Sequence, residues 1–371
     1  MKFSKYSSTF KFCSLVIVIV LIITSVGFAV SGRGIPGLGM QDDTAGNIFY
    51  PDSNSNTQNP TQDNNTDKTD TNISTLYTHL SKMTGLPISE SQFNATPYGV
   101  IVDPLSFLYG ISESDISIEF PIENGTSRLL SYSTSESTMW KIGSLKPTRK
   151  FISNTSNLIG GVAISYGCDD SVRYNSWETG KVSLDLSIYS DCHAIDNTSY
   201  IYTTEAMINT AINRMSASAT LSGYKDAPYL FSDSTVYGVA SVNQITIPIS
   251  STNTTELIYD KISKQYTYLK NGNQKTDMLT GDAISYTNIF VLFANTITYE
   301  NSDGIEMVFD TISGGKGYYL SNGTMTEFKW LVDEMNNLKF YNLKNEQLNI
   351  NPGNIYMAYH KASRELDIIL K

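Results

Sequence analysis

Three Asn-Gly pairs, each set between stretches rich in alternating apolar and polar residues, commit much of this chain to β-hairpins. Asn-Gly is favoured in two-residue hairpin turns because both turn positions need positive φ. The first pair, Asn124-Gly125, follows Ile116, Ile118, Phe120 and Ile122, which alternate with Ser117, Glu119, Pro121 and Glu123. It precedes a second strand over 126–132. Asn271-Gly272 separates 266–270 from 274–276, and Asn322-Gly323 links 318–320 to 325–330. Pro352-Gly353 reads as a fourth hairpin turn, between 347–350 and 355–359. Pro121 lacks an N–H and predicts an edge or a bulge for its strand.

Composition agrees with a sheet-rich fold. The chain has 371 residues, 40% of them hydrophobic, and 24 are tyrosines. Tyr, Ile, Val and Thr suit a pleated, half-buried surface. Helical spacing is rarer. Ala206, Met207, Ile208, Ala211, Ile212 and Met215 recur at helical intervals, and Thr203 or Thr204 can cap that helix. Pro147 can open another through Phe151 and Ile152 toward Leu158. The expected class is α+β: a mixed α/β part over 73–233, then a mainly antiparallel β part over 234–371. No fixed-period repeat is present.

The N-terminus carries an address. Lys2, Lys5 and Lys11 precede an uncharged run from Cys13 to Val30. Its length approaches the roughly 20 residues a bilayer span needs, and the lysines predict a cytoplasmic start. Residues 1–31 therefore read as a signal anchor, single-pass, with the folded part outside the cytoplasm. Cleavage at the small-x-small pattern Ala29-Val30-Ser31 is the competing reading, but the run exceeds a usual signal core. Residues 32–72 read as a disordered linker: 52–71 are almost wholly polar and cannot bury enough apolar surface to order themselves.

The net charge of −10 argues against nucleic acid as a partner, since duplex binding needs clustered Lys and Arg. The one basic stretch past the N-terminus, 146–150, reads as a solvated turn. Cys168 and Cys192 are the only cysteines beyond the anchor, so outside the cytoplasm a disulfide is possible. Two buried thiols are the alternative. Cys168, Asp169, Asp170, Asp191, Cys192, His193 and Asp196 are metal-ligand types, but the irregular spacing favours polar loops and no metal or other cofactor is implied. Glu119 and Glu123 would sit about 13 Å apart on a strand, beyond the roughly 5–9.5 Å of a two-carboxylate glycosidase. Both read as exposed. Gly314-Gly315-Lys316-Gly317 lacks phosphate-loop spacing and reads as a turn before Tyr318. No His-Glu-x-x-His or Gly-x-Ser-x-Gly occurs, and catalytic residues are predicted nowhere.

Several ordered segments resemble the YerB-like bacterial lipoproteins. They are Met83-Thr-Gly-Leu-Pro87, Thr96-Pro-Tyr-Gly-Val-Ile-Val-Asp103, Gly110 through Glu119, and Glu123 through Arg128. Ile142 to Arg149 resembles that family's Gly-Pro-Val-Arg-Ser-x-Arg stretch. Tyr259-Asp260, Tyr266, Asp277, Thr280-Gly281, Asn288, Gly315 to Gly317, Asn322-Gly323, Trp330 and Leu348 to Gly353 follow in the family's order. The resemblance covers about 81–359. It implies an exported two-part domain and supplies no catalytic residues.

Departures from the family pattern matter. Lys146 replaces the first arginine of the stretch, Arg149 matches the second, and Asn197 to Thr204 lacks the family's histidine. The lipid-attachment cysteine is absent. The leading expectation is a non-enzymatic binding or structural protein of the cell envelope, with wall components as partners. The alternative is an enzyme or anion-binding module for wall glycan or a phosphate-bearing ligand, held by Arg128, Lys146 and Arg149 with Asp115 or Glu119 nearby.

Overall fold

The computed structural model describes residues 79–371 apart from 96, 134–140, 170–171, 173–182, 216–224 and 302–303. Residues 1–31 and 32–72, expected from sequence as anchor and linker, and Asp170 lie outside the described residues. Among those described, no helix is long and apolar enough to cross a membrane. The fold is mostly β, with few helices.

The Asn-Gly turns form where the chain chemistry puts them. Strands Ile116–Pro121 and Ser127–Ser133 pair antiparallel around Asn124 (φ 60°) and Gly125 (φ 70°). Asn271-Gly272 and Asn322-Gly323 also take positive φ between paired strands. Pro352-Gly353 does not make a hairpin. Strand Asn349–Ile350 pairs in parallel with Leu230–Phe231, while Ile355–Lys361 enters another sheet. The turn is a corner between sheets, and a Cβ on Gly353 would meet Thr287 Oγ1 at 2.5 Å.

One long sheet dominates. Its order is Ala240–Ser241, Thr324–Val332, Gly315–Ser321, Asn288–Ala294, Ile355–Lys361, Ile116–Pro121, Ser127–Ser133, Tyr98–Val102, Val162–Ser165 and Ser183–Asp185. Leu338–Tyr341 pairs beside Thr324–Val332. Strands from both sides of residue 233 thus share one hydrogen-bonded ladder. Ile355–Lys361 runs parallel to both its neighbours, Asn288–Ala294 and Ile116–Pro121. Both faces of these central strands are covered, so they are buried without alternation. Pro121 is therefore in a central strand, not at an edge. Ile355–Lys361 pairs with it only as far as Glu119, so the missing N–H falls beyond that ladder.

Each face of the sheet has its own cover. Helix Lys150–Ile159 packs Phe151 and Ile152 on one face, with Phe120 between Phe151 and Tyr359 at ring distances of 5.8 and 5.1 Å. The helix starts three residues after Pro147. The other face meets a six-stranded sheet that includes Gln244–Ser250, Asn253–Asp260 and Gln265–Lys270. There Ile245, Ile247, Leu257 and Tyr268 pack with Leu129, Val291 and Tyr356. Helix Glu205–Met215 adds Ile208 and Ala211 to that core, and Thr204 Oγ1 accepts from Met207 N–H at 3.2 Å.

The glycines near Lys316 mark close approach as well as a turn. Gly314 takes φ 85° before the strand, whereas Gly315 and Gly317 lie inside Gly315–Ser321. A Cβ on Gly317 would sit 2.5 Å from the Val291 carbonyl and 2.3 Å from the Phe328 ring. Gly317→Ala is expected to destabilise the protein by about 1–3 kcal/mol through overpacking. Urea unfolding checks this, and an unchanged midpoint would refute the close-approach explanation.

Candidate functional site

Glu119 is the group placed least as its sequence suggests. It is fully buried, on the face of Ile116–Pro121 that meets the six-stranded sheet. Lys270 donates to its Oε1 at 2.8 Å and Ser127 Oγ to the same oxygen at 2.6 Å. Its Oε2 accepts from Tyr356 OH (2.6 Å), Thr255 Oγ1 (2.8 Å) and Tyr268 OH (3.1 Å). Lys270 is itself buried and also donates to Thr255 Oγ1 at 2.8 Å. Burial pushes the Glu119 carboxyl up, but the Lys270 ammonium and the hydroxyl donors outweigh it and hold it below the usual range.

Arg128, Lys146 and Arg149 do come together, on different terms. In Ser127–Ser133, Arg128 is paired with Phe120, so it projects to the helix-covered face, opposite Glu119. Arg149 is the N-cap residue of helix Lys150–Ile159 and makes no side-chain cap bond. It pairs with Glu123, its Nε lying 3.1 Å from Oε1, and with Asp169 at 3.5 Å. Lys146 pairs with Asp103 at 3.4 Å. Burial lowers the Arg128 guanidinium, Asp103 and Glu123 raise it, and Arg149 repels it. Arg128 Nη1 donates to the Ser127 carbonyl at 3.1 Å, while its buried Nε has no acceptor. Residues 146–150 thus form a half-buried, largely ion-paired cluster, not a solvated turn.

The remaining candidates go elsewhere. Asp115 precedes Ile116–Pro121, at the end of that strand remote from Glu123 and roughly 20 Å from Pro121 at ~3.3 Å per residue. Glu123 follows the strand in a 3-10 turn and is not on a shared strand face with Glu119. The cysteine bridge that the sequence allows is not formed. Cys168 Sγ instead lies 3.6 Å from an Asp185 carboxylate oxygen, and Cys192 Sγ 3.7 Å from one of Asp191. Burial pushes the Cys192 thiol up, which keeps it protonated. Among the described residues no His, Cys, Asp and Glu group could hold a metal. Asp191 binds Arg214, Asp196 binds Lys141, and His193 Nδ1 lies 3.0 Å from the Leu186 carbonyl.

The residues that complete the Glu119 network were not singled out from sequence. One signal existed: Tyr266, Tyr268 and Lys270 alternate along one strand, so the lysine shares the face of two tyrosines. Asp277, which the sequence marks only as a position in the family's order with no role, is fully buried. It accepts from the backbone N–H groups of Gly110, Ile111 and Ser112 at 3.1, 2.6 and 2.9 Å.

The depressed Glu119 pKa sets a pH dependence. A carboxyl with a folded value below its unfolded value, about 4.3 for Glu, contributes stability that is present above the unfolded value. That stability is lost as pH falls through the folded one. Unfolding free energy measured from pH 7 down to pH 3 is expected to fall with acid. Glu119→Gln should show a shallower slope below about pH 4.3; equal slopes would contradict the assignment.

Comparison with known proteins adds the family context. Residues 245–357 match the C-terminal domain of a protein family of unknown function, DUF3048. A Bacillus subtilis (strain 168) protein named "Putative lipoprotein YerB" is 25% identical over 269 residues, covering 67% of this chain and 76% of that protein. The crystal structure of YerB protein from Bacillus subtilis superposes with a TM-score of 0.68 at 21% identity, over 79% of this chain and 99% of that one. The arginine cluster and the buried glutamate thus lie in a fold shared with YerB, and this chain resembles YerB in sequence and carries the DUF3048 C-terminal match over 245–357.

Proposed function

We propose that this chain is an extracytoplasmic binding protein, tethered to the membrane by residues 1–31, that holds an anionic group where Arg128, Lys146 and Arg149 converge. The observation that carries the reading is the Arg128 guanidinium: it is partly buried, its Nε lacks an acceptor, and it has no carboxylate in ion-pair range among the described residues. A buried donor left unsatisfied is unfavourable by about 1–3 kcal/mol, which an incoming oxygen relieves. Guanidinium suits phosphate and carboxylate because it donates in a planar fork. Lys146 and Arg149 are already engaged by acids, so they set the local field while Arg128 offers the open donor. The N-terminus of helix Lys150–Ile159, without a side-chain cap, adds N–H groups of the kind that favour anions.

Binding is preferred to catalysis because, among the described residues, the acids nearest Arg128, Asp103 and Glu123, are held in ion pairs with Lys146 and Arg149. Glu119 lies on the opposite sheet face with both oxygens occupied. The envelope setting rests on the uncharged N-terminal run and on the name of the Bacillus relative. Nucleic acid is not expected as a partner.

With the full-length chain in detergent micelles, inorganic phosphate should show 31P line broadening that weakens with salt. Arg128→Gln is expected to abolish that broadening and leave the fold intact; undiminished broadening would remove the reading, as would turnover of a glycan substrate. In intact cells, external protease should cut the folded part, and deletion of residues 1–31 should release it from the membrane. Full protection from protease would overturn the assigned side.

A further inference from the structure

An aromatic face adjoins the cation cluster. Tyr109 bridges to Gly143, and Gly143 pairs with Tyr202 on its other side. Glycine leaves no side chain between the two rings, and a Cβ there would lie 2.9 Å from the Ile201 carbonyl. The Lys141 ammonium sits over both rings, 3.8 Å from the Tyr109 centroid and 4.6 Å from that of Tyr202, and binds Asp196 at 2.9 Å. Two residues along, roughly 7 Å on extended backbone, Phe107 meets Tyr200 edge to face at 5.5 Å. Phe107 is 47% exposed, and Leu105 in the same turn and Met278, whose N–H donates to the Leu108 carbonyl at 2.8 Å, are exposed too.

These rings are held in place. Asp196 accepts from Thr198 and Tyr200 N–H groups, at 2.9 and 3.1 Å, which fixes the loop that presents Tyr200. Exposed Phe107 beside half-buried Tyr200, on a rigid base with a neutralised polar rim, suits a ligand that has both apolar C–H faces and hydroxyls. That is the chemistry of a sugar ring. A lipid surface would favour projecting apolar side chains and net positive charge, whereas here the Lys141 charge is consumed by Asp196.

The same turn reaches the cations. Asp103, the partner of Lys146, accepts from Leu105 N–H at 3.0 Å, and its carbonyl accepts from Ser106 N–H at 3.1 Å. The Ser106 carbonyl accepts from Lys275 Nζ at 2.7 Å. Residues 103–107 thus carry the cation cluster at one end and Phe107 at the other.

We propose that Phe107 and Tyr200, on a base fixed by the Lys141-capped Tyr109 and Tyr202 rings, stack the sugar ring of a phosphate-bearing glycan whose phosphate is held at Arg128. The phosphate half rests on the anion reading above; the stacking half stands on the aromatic geometry.

The test uses full-length protein in micelles with three probes: glucose 1-phosphate, glucose and inorganic phosphate. Saturation transfer to ring protons reports stacking, and 31P line width reports the cation cluster. Wild type is expected to saturate the ring protons of glucose 1-phosphate more strongly than those of glucose. Phe107→Ala should cut that transfer several-fold and leave inorganic phosphate broadening unchanged, and Tyr200→Ala should repeat the effect. Arg128→Gln should remove the broadening.

If inorganic phosphate is broadened but Phe107→Ala leaves ring-proton transfer unchanged, the stacking proposal fails alone. If wild type does not broaden inorganic phosphate, the anion reading fails, and the glycan assignment with it. Binding to anionic phospholipid vesicles that depends on Phe107, without transfer to any sugar, would replace the glycan by a membrane surface.

Discussion

The Glu119–Lys270 pair is the contact on which the two-layer arrangement depends. An ion moved from water into a protein interior loses several kcal/mol of solvation, and attraction offsets this only with good geometry and satisfied hydrogen bonds. Here Glu119 receives donors from strands of both sheets: Ser127 and Tyr356 from the long sheet, Thr255, Tyr268 and Lys270 from the six-stranded one. Sliding one sheet past the other by a residue pair would strand a charge in an apolar seam. The apolar contacts around it are non-directional and accept many offsets; this polar set accepts one.

The seam also positions the cation cluster. Gly125, in the turn after strand Ile116–Pro121, offers its carbonyl to Ser250 Oγ and Asn253 Nδ2, both at 3.1 Å. Those residues belong to the six-stranded sheet, so the second layer grips the turn that carries Glu123. Glu123 in turn holds Arg149, and Arg128 stands on the next strand. A fixed sheet offset therefore becomes a fixed spacing between guanidinium groups on the opposite face.

How much was legible in the sequence follows the range of the contacts involved. The Asn-Gly turns are local: two residues dictate positive φ, and their strands pair with one another. Pro352-Gly353 carries an equally strong turn signal, yet its flanking strands find partners far away, Leu230–Phe231 and Ile116–Pro121. Glu119 was misread for the same reason. Alternation with Ile116, Ile118 and Phe120 marks it as outward-facing, and only the distant strand Ile355–Lys361 and the second sheet make that side interior. Arg128, Lys146 and Arg149 were found through family resemblance, but the acids that neutralise two of them, Asp103, Glu123 and Asp169, sit on separate segments with no shared spacing. The aromatic face is hidden likewise, since Phe107, Gly143 and Tyr200 meet only through tertiary pairing.

A double-mutant cycle on urea unfolding, with Glu119→Gln, Lys270→Met and the pair, measures the seam contact directly. Lys270→Met alone is predicted to cost about 3–5 kcal/mol by leaving a buried charge uncompensated, and the double variant should lose much less than the two single losses combined. Small single effects that add within about 0.5 kcal/mol would show that Glu119 and Lys270 do not hold the sheets together.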